Sequence, residues 1–444
     1  MAKKVVVVGA GIAGLTAGND LTKAGYDVTV LERDDLPGGR MADRVVNGIC
    51  THTGASVLFS FNKVMLDLVK ELGLTKDLYT FPDRNGGYTV NNGESEYKLK
   101  LTFDPVFLLK HPAFGVKTKA KLALLLPDMI KSGLQTDPCM MHTAAQFDDE
   151  NVTDYITRKV SAEFLENYIE PYFRAPWHWE PEQISKAYLL SLLGHVVGAD
   201  LLSFNQGIGH LTRTLAGVVN LKLNCHATKI QPAETSVTVA YEENGTPRII
   251  DADFVICATP GTKVKHLVAD LNASDRAFFD GVRYNRGARI YYALKPGPLE
   301  ARYRWFTRKS PCKFSLFYAM PEDAIVPKGH TQPPYLQCEL TPELSKRIER
   351  EGGQKKLDSY VRDEVNRLYP EIADRIVGVA EQWWDDMLTE WYTGYTKTMA
   401  GFLAKQEATH SRVYYCGDYL SQSHTGGACA SGRRAASLLQ THWG

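Results

Sequence analysis

The sequence predicts an α/β fold in which one domain is assembled from separated segments of the chain. Three observations predict it: an apolar run that leads into a glycine-rich turn near the start, a second apolar run at 253–260, and a strand, loop and helix pattern at the end. A chain of 444 residues is too long for one hydrophobic core. We therefore expect a parallel-sheet domain from residues 1–80, 205–265 and 400–444, and an α+β domain from residues 81–204 and 266–399.

The first element is a βαβ unit. Residues 4–8 are continuously apolar, as in a strand that is buried on both faces. A helix is expected from about Gly14 to Ala24, and a second strand from Asp27 to Glu32. Such units build parallel sheets, so this one is expected to start the first domain.

Three glycines connect the first strand to the helix with the spacing GxGxxG. Gly9 permits a tight turn, Gly11 lets the backbone approach a pyrophosphate, and Gly14 lets helix and strand pack closely. The N–H groups at the helix N-terminus favour phosphate binding. Glu32 ends the second strand, where it would accept hydrogen bonds from a ribose. The pattern therefore predicts a dinucleotide site.

The next segment, "LPGGRM" at 36–41, indicates which dinucleotide is bound. Its glycines allow another close approach of the backbone, and Arg40 supplies a cation. A nicotinamide site does not need these features, whereas the larger FAD would use them. The alternative is a surface turn with an exposed arginine.

Later segments of the chain also show periodic apolar patterns that predict helices and strands. Residues 63–72 and 354–369 have the apolar period of amphipathic helices, and residues 222–260 alternate as several strands do. The apolar run "DFVICATP" at 253–260 is expected to return to the parallel sheet.

Composition excludes several function classes. Lys plus Arg and Asp plus Glu each number 51, so the formal net charge is zero and favours no nucleic-acid role. The eight cysteines form no CxxC pair, so we expect no metal site and no disulfide framework. Cysteines that stay reduced are typical of a cytoplasmic protein. The start "MAKK" leaves no room for a signal peptide, which also favours the cytoplasm. No uncharged apolar run approaches the ~20 residues of a membrane span.

Several of these motifs resemble one known family. The stretches "VVVVGAGIAGL", "VLERDDLPGGRMADR" and "THTGAS" are similar to the N-terminus of the flavin-containing amine oxidase superfamily. "VYYCGDYLSQSHTGGACASGRRAA" resembles its second flavin motif, and "CHATKI" its adenine-flanking strand. That superfamily includes monoamine oxidases, protoporphyrinogen oxidases and phytoene desaturase-like enzymes. The resemblance implies a Rossmann-like FAD-binding domain with a discontinuous substrate domain.

The resemblance also implies a set of FAD-binding residues, which begin at the ADP half and end at the flavin ring. They are Gly9, Gly11, Ile12, Ala13, Gly14, Glu32, Arg33, Gly39, Arg40, Gly54, Ala55, Ser56, Ala227, Gly417, Asp418, Gly427 and Ala428. Gly427 and Ala428 would open the last helix beneath the flavin, where a helix N-terminus stabilises negative charge.

Four candidate catalytic positions depart from, or only partly match, the family pattern. His52 stands where members often carry an acid, and His424 where monoamine oxidases place a cage tyrosine. Each histidine is either an acid–base group or a structural residue. Trp391 and Tyr395 are aromatic enough to wall an amine site, although core packing is the alternative.

Arg289 is the fifth candidate, and it aligns with a lysine that helps reduced flavin react with oxygen. Arginine does not release its proton at working pH, which argues against fast oxidase turnover. Gly394 stands where the mitochondrial monoamine oxidases attach flavin to cysteine, and Cys429 lies within the last helix. We therefore expect non-covalent FAD.

The function expected from the sequence is FAD-dependent removal of a hydride from a C–H bond of a small organic substrate. Oxidation of an amine to an imine, with oxygen or another acceptor, is the first expectation. Desaturation of an apolar ring or polyene is the alternative. A non-catalytic nucleotide-binding module or an NAD(P) dehydrogenase would leave the "GGR" segment and the C-terminal motif "GDYLSQSHTGGA" unexplained. Residues 93–131 mix apolar groups with lysines and predict either a membrane contact or, with more weight, a helix pair with a solvated lysine face. The oligomeric state is not predicted.

Overall fold

A computed structural model describes residues 2–80, 87–100, 103–322 and 332–444. Within these ranges the strands, in chain order, are β1 (Lys4–Val8), β2 (Asp27–Leu31), β3 (Asp43–Val46), β4 (Ile49–His52), β5 (Leu58–Phe59), β6 (Leu78–Thr80), β7 (Tyr88–Asn91), β8 (Glu96–Leu99), β9 (Leu201–Phe204), β10 (Asn220–Lys222), β11 (Cys225–Pro232), β12 (Val237–Glu243), β13 (Thr246–Ala252), β14 (Phe254–Cys257), β15 (Gly287–Leu294), β16 (Arg302–Phe306), β17 (Phe314–Met320), β18 (Tyr335–Leu340), β19 (Ile376–Trp384) and β20 (Val413–Tyr415).

The α-helices of the same ranges are α1 (Ile12–Lys23), α2 (Lys63–Glu71), α3 (Pro105–Lys110), α4 (Val116–Lys121), α5 (Leu126–Gln135), α6 (Val152–Lys159), α7 (Ala162–Phe164), α8 (Glu170–Trp177), α9 (Lys186–Val196), α10 (His210–Ala216), α11 (Gly261–Leu267), α12 (Ala273–Gly281), α13 (Pro342–Glu351), α14 (Asp358–Leu368), α15 (Tyr395–Ala408) and α16 (Thr425–Trp443). None of the described helices is long and apolar enough to cross a membrane.

The apolar run at the start of the chain is a central strand of a five-stranded parallel sheet. Its strand order is β10-β2-β1-β14-β20. Val5 to Val8 are at most 3% exposed, as the continuous apolar run predicts. Helix α16 crosses α1 so closely that a Cβ on Gly432 would lie 2.2 Å from the Ala13 carbonyl oxygen. The predicted helices and strands of this part of the chain are confirmed to within a few residues.

A seven-stranded mixed sheet stands apart from the parallel one. Its order is β19-β15-β18-β17-β16-β7-β8, and only the β16–β7 pair is parallel. One face packs Ile290, Phe317 and Cys338 against α13 and α14. The other face carries aromatic and charged side chains, among them Arg289, Trp305 and Glu339.

The two large sheets draw their strands from interleaved stretches of the chain. The parallel sheet uses residues 4–31, 220–257 and 413–415, and the mixed sheet uses 88–99 and 287–384. The domain boundaries themselves stay a prediction. The one predicted after residue 80 adjoins residues 81–86, which lie outside the described ranges.

Candidate active site

A cavity of about 880 Å³ extends from the carboxyl ends of β1 and β2 to the open face of the seven-stranded sheet. Its volume is at the upper end of the 300–1,000 Å³ that is usual for ligand sites, roughly. The carboxyl ends of parallel strands are where such folds bind ligands, because the loops that follow the strands leave a crevice there.

The glycine turn after β1 forms one wall of this cavity. Gly9 has a φ of +106°, which favours glycine, and a Cβ on Gly14 would lie 2.0 Å from the Gly9 carbonyl oxygen. Gly11 has no atom within 4 Å of the position a Cβ would take, so its backbone faces open space. The first N–H groups of α1 have no partner within the helix. The turn therefore fits a pyrophosphate.

Glu32 lies at the end of β2 and is 7% exposed. One carboxylate oxygen accepts a hydrogen bond from the Ala10 N–H at 2.7 Å, and the other accepts one from the Asp34 N–H at 3.0 Å. Burial raises the pKa of Glu32, and these two N–H groups oppose that rise. The carboxylate is thus held at the cavity wall with lone pairs to spare, as ribose binding requires.

Arg40 and Asp418 form a two-bond ion pair in the middle of the cavity. Arg40 Nη1 and Nη2 donate to the Asp418 carboxylate at 2.9 and 2.8 Å. Asp418 also accepts hydrogen bonds from the Tyr284 hydroxyl at 2.9 Å and the Thr389 hydroxyl at 3.2 Å. A Cβ on Gly54 would lie 2.5 Å from the Arg40 carbonyl oxygen, so glycine lets that loop pack here. The pair fixes two predicted cofactor-binding segments against each other.

His424 caps the N-terminus of α16, which begins at the cavity. Its Nδ1 accepts the Gly427 N–H at 2.9 Å, so Nε2 carries the proton and donates to the Pro138 carbonyl at 2.7 Å. Burial lowers the pKa of His424 to about 4. The ring is therefore neutral near pH 7 with both nitrogens engaged, an arrangement that favours a structural role for this residue over an acid–base one.

His52 is not among the residues that line the cavity. Its Nδ1 lies 2.8 Å from Asp43 Oδ1, and Asp43 Oδ2 accepts the Gly209 N–H at 2.7 Å. Cys50 belongs to the same group, whose ligand-type atoms lie within 4.8 Å of one another. Both Asp43 oxygens already have hydrogen-bond partners, so the group holds the β3–β4 hairpin to the loop before α10.

The two aromatic candidates are also not among the residues that line the cavity. Trp391 and Tyr395 are fully buried. The Trp391 Nε1–H donates to the Ser423 hydroxyl, and the Tyr395 hydroxyl donates to the Tyr419 carbonyl, both at 2.9 Å. The structure places both side chains in the packed core, which is the alternative given for them from the sequence.

Arg289 does line the cavity, and the sequence does not reveal its partners there. Its Nε donates to Glu339 at 2.8 Å, and the second Glu339 oxygen lies 2.6 Å from His178 Nε2. Arg289 Nη1 also reaches the Gly54 carbonyl at 3.3 Å. Burial raises the pKa of Glu339, but Arg289 and His178 outweigh it and the pKa is lowered. Arg289 and Glu339 are direct cross-strand neighbours on β15 and β18.

The sheet face beyond Arg289 is aromatic and apolar. Tyr88 stacks on Trp305 with ring centroids 4.3 Å apart, and on Tyr318 at 5.8 Å. Leu316 and Gln337 complete this part of the cavity wall. None of these residues is among the candidates from the sequence, because they meet only when strands that are distant in the chain pair.

Most of the predicted site residues meet at this one cavity. Those that line it are Gly9, Gly11, Ile12, Ala13, Glu32, Arg33, Gly39, Arg40, Gly54, Ala55, Ser56, Ala227, Arg289, Gly417, Asp418, His424 and Ala428. Gly14 and Gly427 do not line it but support it, since a Cβ on Gly427 would lie 2.4 Å from the Gln422 carbonyl oxygen.

Comparison with known proteins shows where this architecture occurs. Residues 12–440 match the family model described as flavin containing amine oxidoreductase. Protoporphyrinogen oxidase 2 of Arabidopsis thaliana is 27% identical over 187 residues, a match that covers 41% of this chain and only 34% of that relative. Among solved structures, wild-type putrescine oxidase bound to putrescine is similar with a TM-score of 0.72 and 17% identity, over 99% of both chains.

A second solved structure has a different activity in its name. The fatty acid isomerase from P. acnes that produces CLA has a TM-score of 0.68 and 16% identity, over 100% of this chain and 99% of that one. At these identities the solved structures are evidence for the fold alone. The match of the family model over nearly the whole length shows that the chain belongs to the flavin-containing amine oxidoreductases.

Proposed function

We propose that the chain is an oxidoreductase that holds FAD non-covalently and removes a hydride from an activated C–H bond of a small organic substrate. One observation carries the proposal: a single cavity joins the glycine turn of α1, the N-terminus of α16 and the aromatic face of the seven-stranded sheet. Bound FAD supplies the two-electron acceptor, and the protein supplies position and electrostatics.

The cysteines support non-covalent binding. Cys429, inside α16, is fully buried, and its Sγ lies 3.7 Å from the Thr16 hydroxyl rather than in the cavity. Among the described residues that line the cavity, Cys225 is the only cysteine, and it lies beside Ala227 at the predicted adenine end. A thiol there is far along the cavity from the Arg289 end, where the flavin ring is expected.

Two features would stabilise negative charge at the Arg289 end of the cavity. Thr425 and Ala428, in the first turn of α16, line the cavity, and a helix N-terminus favours an anion. Arg289 stays positively charged because a guanidinium keeps its proton, and Glu339 holds it beside the Gly54 carbonyl. A fixed cation assists charge separation but does not donate a proton. This supports slow reoxidation by oxygen and use of another acceptor.

The cavity wall favours the apolar substrate over the amine. The sheet face offers Tyr88, Trp305, Leu316 and Tyr318, and the one acid there, Glu339, has both oxygens engaged. No carboxylate of the described sheet face is left to pair with an ammonium group. We therefore place desaturation of an apolar ring or unsaturated chain first.

Amine oxidation is the second candidate. The family membership and the similarity to a putrescine oxidase support it. Gln337 and Gln382 both line the cavity from the sheet, and their amide groups are ones that a neutral amine would contact.

The test is a visible spectrum of the purified protein, followed by anaerobic titration with apolar ring compounds, polyenes and amines. Flavin bands that separate from acid-denatured protein are expected, with bleaching by an apolar compound. The variant Gln337→Leu sharpens the test. It should retain or improve bleaching by an apolar compound and weaken bleaching by an amine. A colourless protein that binds no added FAD would overturn the proposal, and flavin that stays with the denatured protein would overturn its non-covalent part.

A further inference from the structure

The helices between residues 105 and 135 carry most of the exposed large apolar side chains. Seven of the twelve such side chains in the described part of the chain lie there. They are Val106, Leu109, Val116, Leu124, Leu126, Ile130 and Leu134. Val116 is 86% exposed and Leu134 is 82% exposed. We call residues 116–135, which include α4 and α5, the α4–α5 surface.

Helix α5 has one packed face and one unpartnered face. Its inner face lies against α9, where a Cβ on Gly133 would be 2.8 Å from the Gly194 carbonyl oxygen. The exposed residues Leu126, Ile130 and Leu134 recur every four positions, so they form one stripe on the outer face. These residues are 49%, 62% and 82% exposed, so the described chain leaves the stripe largely uncovered.

Lysines accompany the apolar stripe. Lys117, Lys119 and Lys121 on α4 make no ion pair with any described residue, and Lys110, at the end of α3, makes none either. The one acid between residues 105 and 135 is Asp128, which pairs with Lys159 at 2.8 Å. The surface is therefore apolar and positively charged.

We propose that the α4–α5 surface docks on an anionic lipid bilayer, with α5 lying in the plane of the interface. Exposed leucines beside unpaired lysines are the pattern of an interfacial amphipathic helix, because the leucines enter the acyl boundary and the lysines contact anionic headgroups. A solvated lysine face, which the sequence favours, would not explain the exposed leucines. A second copy of the chain fits less well, since a two-fold contact would bury the lysines of both copies in one patch whose one acid, Asp128, is already paired.

The experiment is flotation of the purified holoprotein with neutral phosphatidylcholine vesicles and with vesicles that contain phosphatidylserine. Wild type is expected to float with the anionic vesicles and to be released by high salt. Ile130→Glu combined with Leu134→Glu should lower binding tenfold or more, because apolar burial is lost. Lys117→Glu with Lys121→Glu should lower it by at least about fivefold per lysine, and mainly at low salt.

The matched control is Ile249→Glu, which changes another exposed apolar side chain, 70% exposed on β13. It should leave vesicle binding unchanged. Light scattering after gel filtration follows the oligomeric state of each variant. Equal binding by wild type and the Ile130/Leu134 variant, or no binding by wild type, would overturn the proposal. So would a wild-type dimer that the Ile130/Leu134 variant converts to a monomer, since the surface would then be a contact between copies.

Discussion

Replacement of His424 by alanine tests whether this ring is a cap or an acid–base group. The variant loses the acceptor for the Gly427 N–H and the donor to the Pro138 carbonyl. A lost N-cap costs about 0.5–2 kcal/mol and an unpaired carbonyl about 1–3 kcal/mol, so the free energy of unfolding should fall by about 1.5–5 kcal/mol. Thermal unfolding of the variant and of His424→Asn, which retains a cap acceptor, measures this.

The pKa of His424 sets the pH dependence. It is about 4 in the native protein and 6.5 in a reference side chain, so acidification protonates the unfolded chain first. Stability contributed by the neutral ring is therefore present above pH 6.5 and is lost as the pH falls toward 4. The difference corresponds to at most about 3 kcal/mol. The fall in the free energy of unfolding between pH 6.5 and pH 4 should therefore be smaller in His424→Asn than in wild type.

The rate of substrate-driven flavin reduction distinguishes the two roles. Between pH 6 and 9, roughly, the ring does not titrate, so the pH profile of His424→Asn should match that of wild type. A variant of unchanged stability that reduced flavin slowly, with a shifted pH profile, would refute the capping argument and restore His424 as an acid–base group.

Three further substitutions have defined outcomes. Gly14→Ala would place a methyl group 2.0 Å from the Gly9 carbonyl oxygen, so FAD binding followed by fluorescence should be lost or weakened with a stability cost of about 1–3 kcal/mol. Glu32→Gln should weaken FAD binding about tenfold in the same titration, because the charge that strengthens bonds to a ribose is removed. Glu339→Gln leaves Arg289 buried without its counter-charge, so the free energy of unfolding should fall by about 3–5 kcal/mol in denaturant titration.

Matched controls separate these effects from general damage. Gly401→Ala lies in helix α15 with no atom within 4 Å of the new methyl group, and it should leave FAD binding unchanged. Glu349→Gln removes a partner of Arg286 in a solvent-exposed pair and should cost less than about 1 kcal/mol. Controls as damaging as Gly14→Ala or Glu339→Gln would contradict the packing and burial arguments.

The proposed nucleotide half of the site could be predicted because its chemistry is local in the sequence. Gly9, Gly11 and Gly14 are fixed by backbone conformation and close approach, and Glu32 ends the next strand, so spacing along the chain is enough to place them. The buried runs likewise predict strands of the parallel sheet. The structure adds the hydrogen-bond and packing partners of these residues, and each residue lies where its spacing predicts.

The substrate half depended on tertiary structure. Arg289 and Glu339 are 50 residues apart and become neighbours only through strand pairing, and His178 joins them from a helix end. Trp391 and Tyr395 look equally suited to a cavity wall in the sequence, but packing buries them elsewhere. The sequence by itself determined the family, the glycine turn and the acidic residue after β2, because backbone geometry and short spacings specify them. Only the tertiary structure decided which aromatic, acidic and histidine side chains face the cavity, because that depends on how distant strands and helices pack.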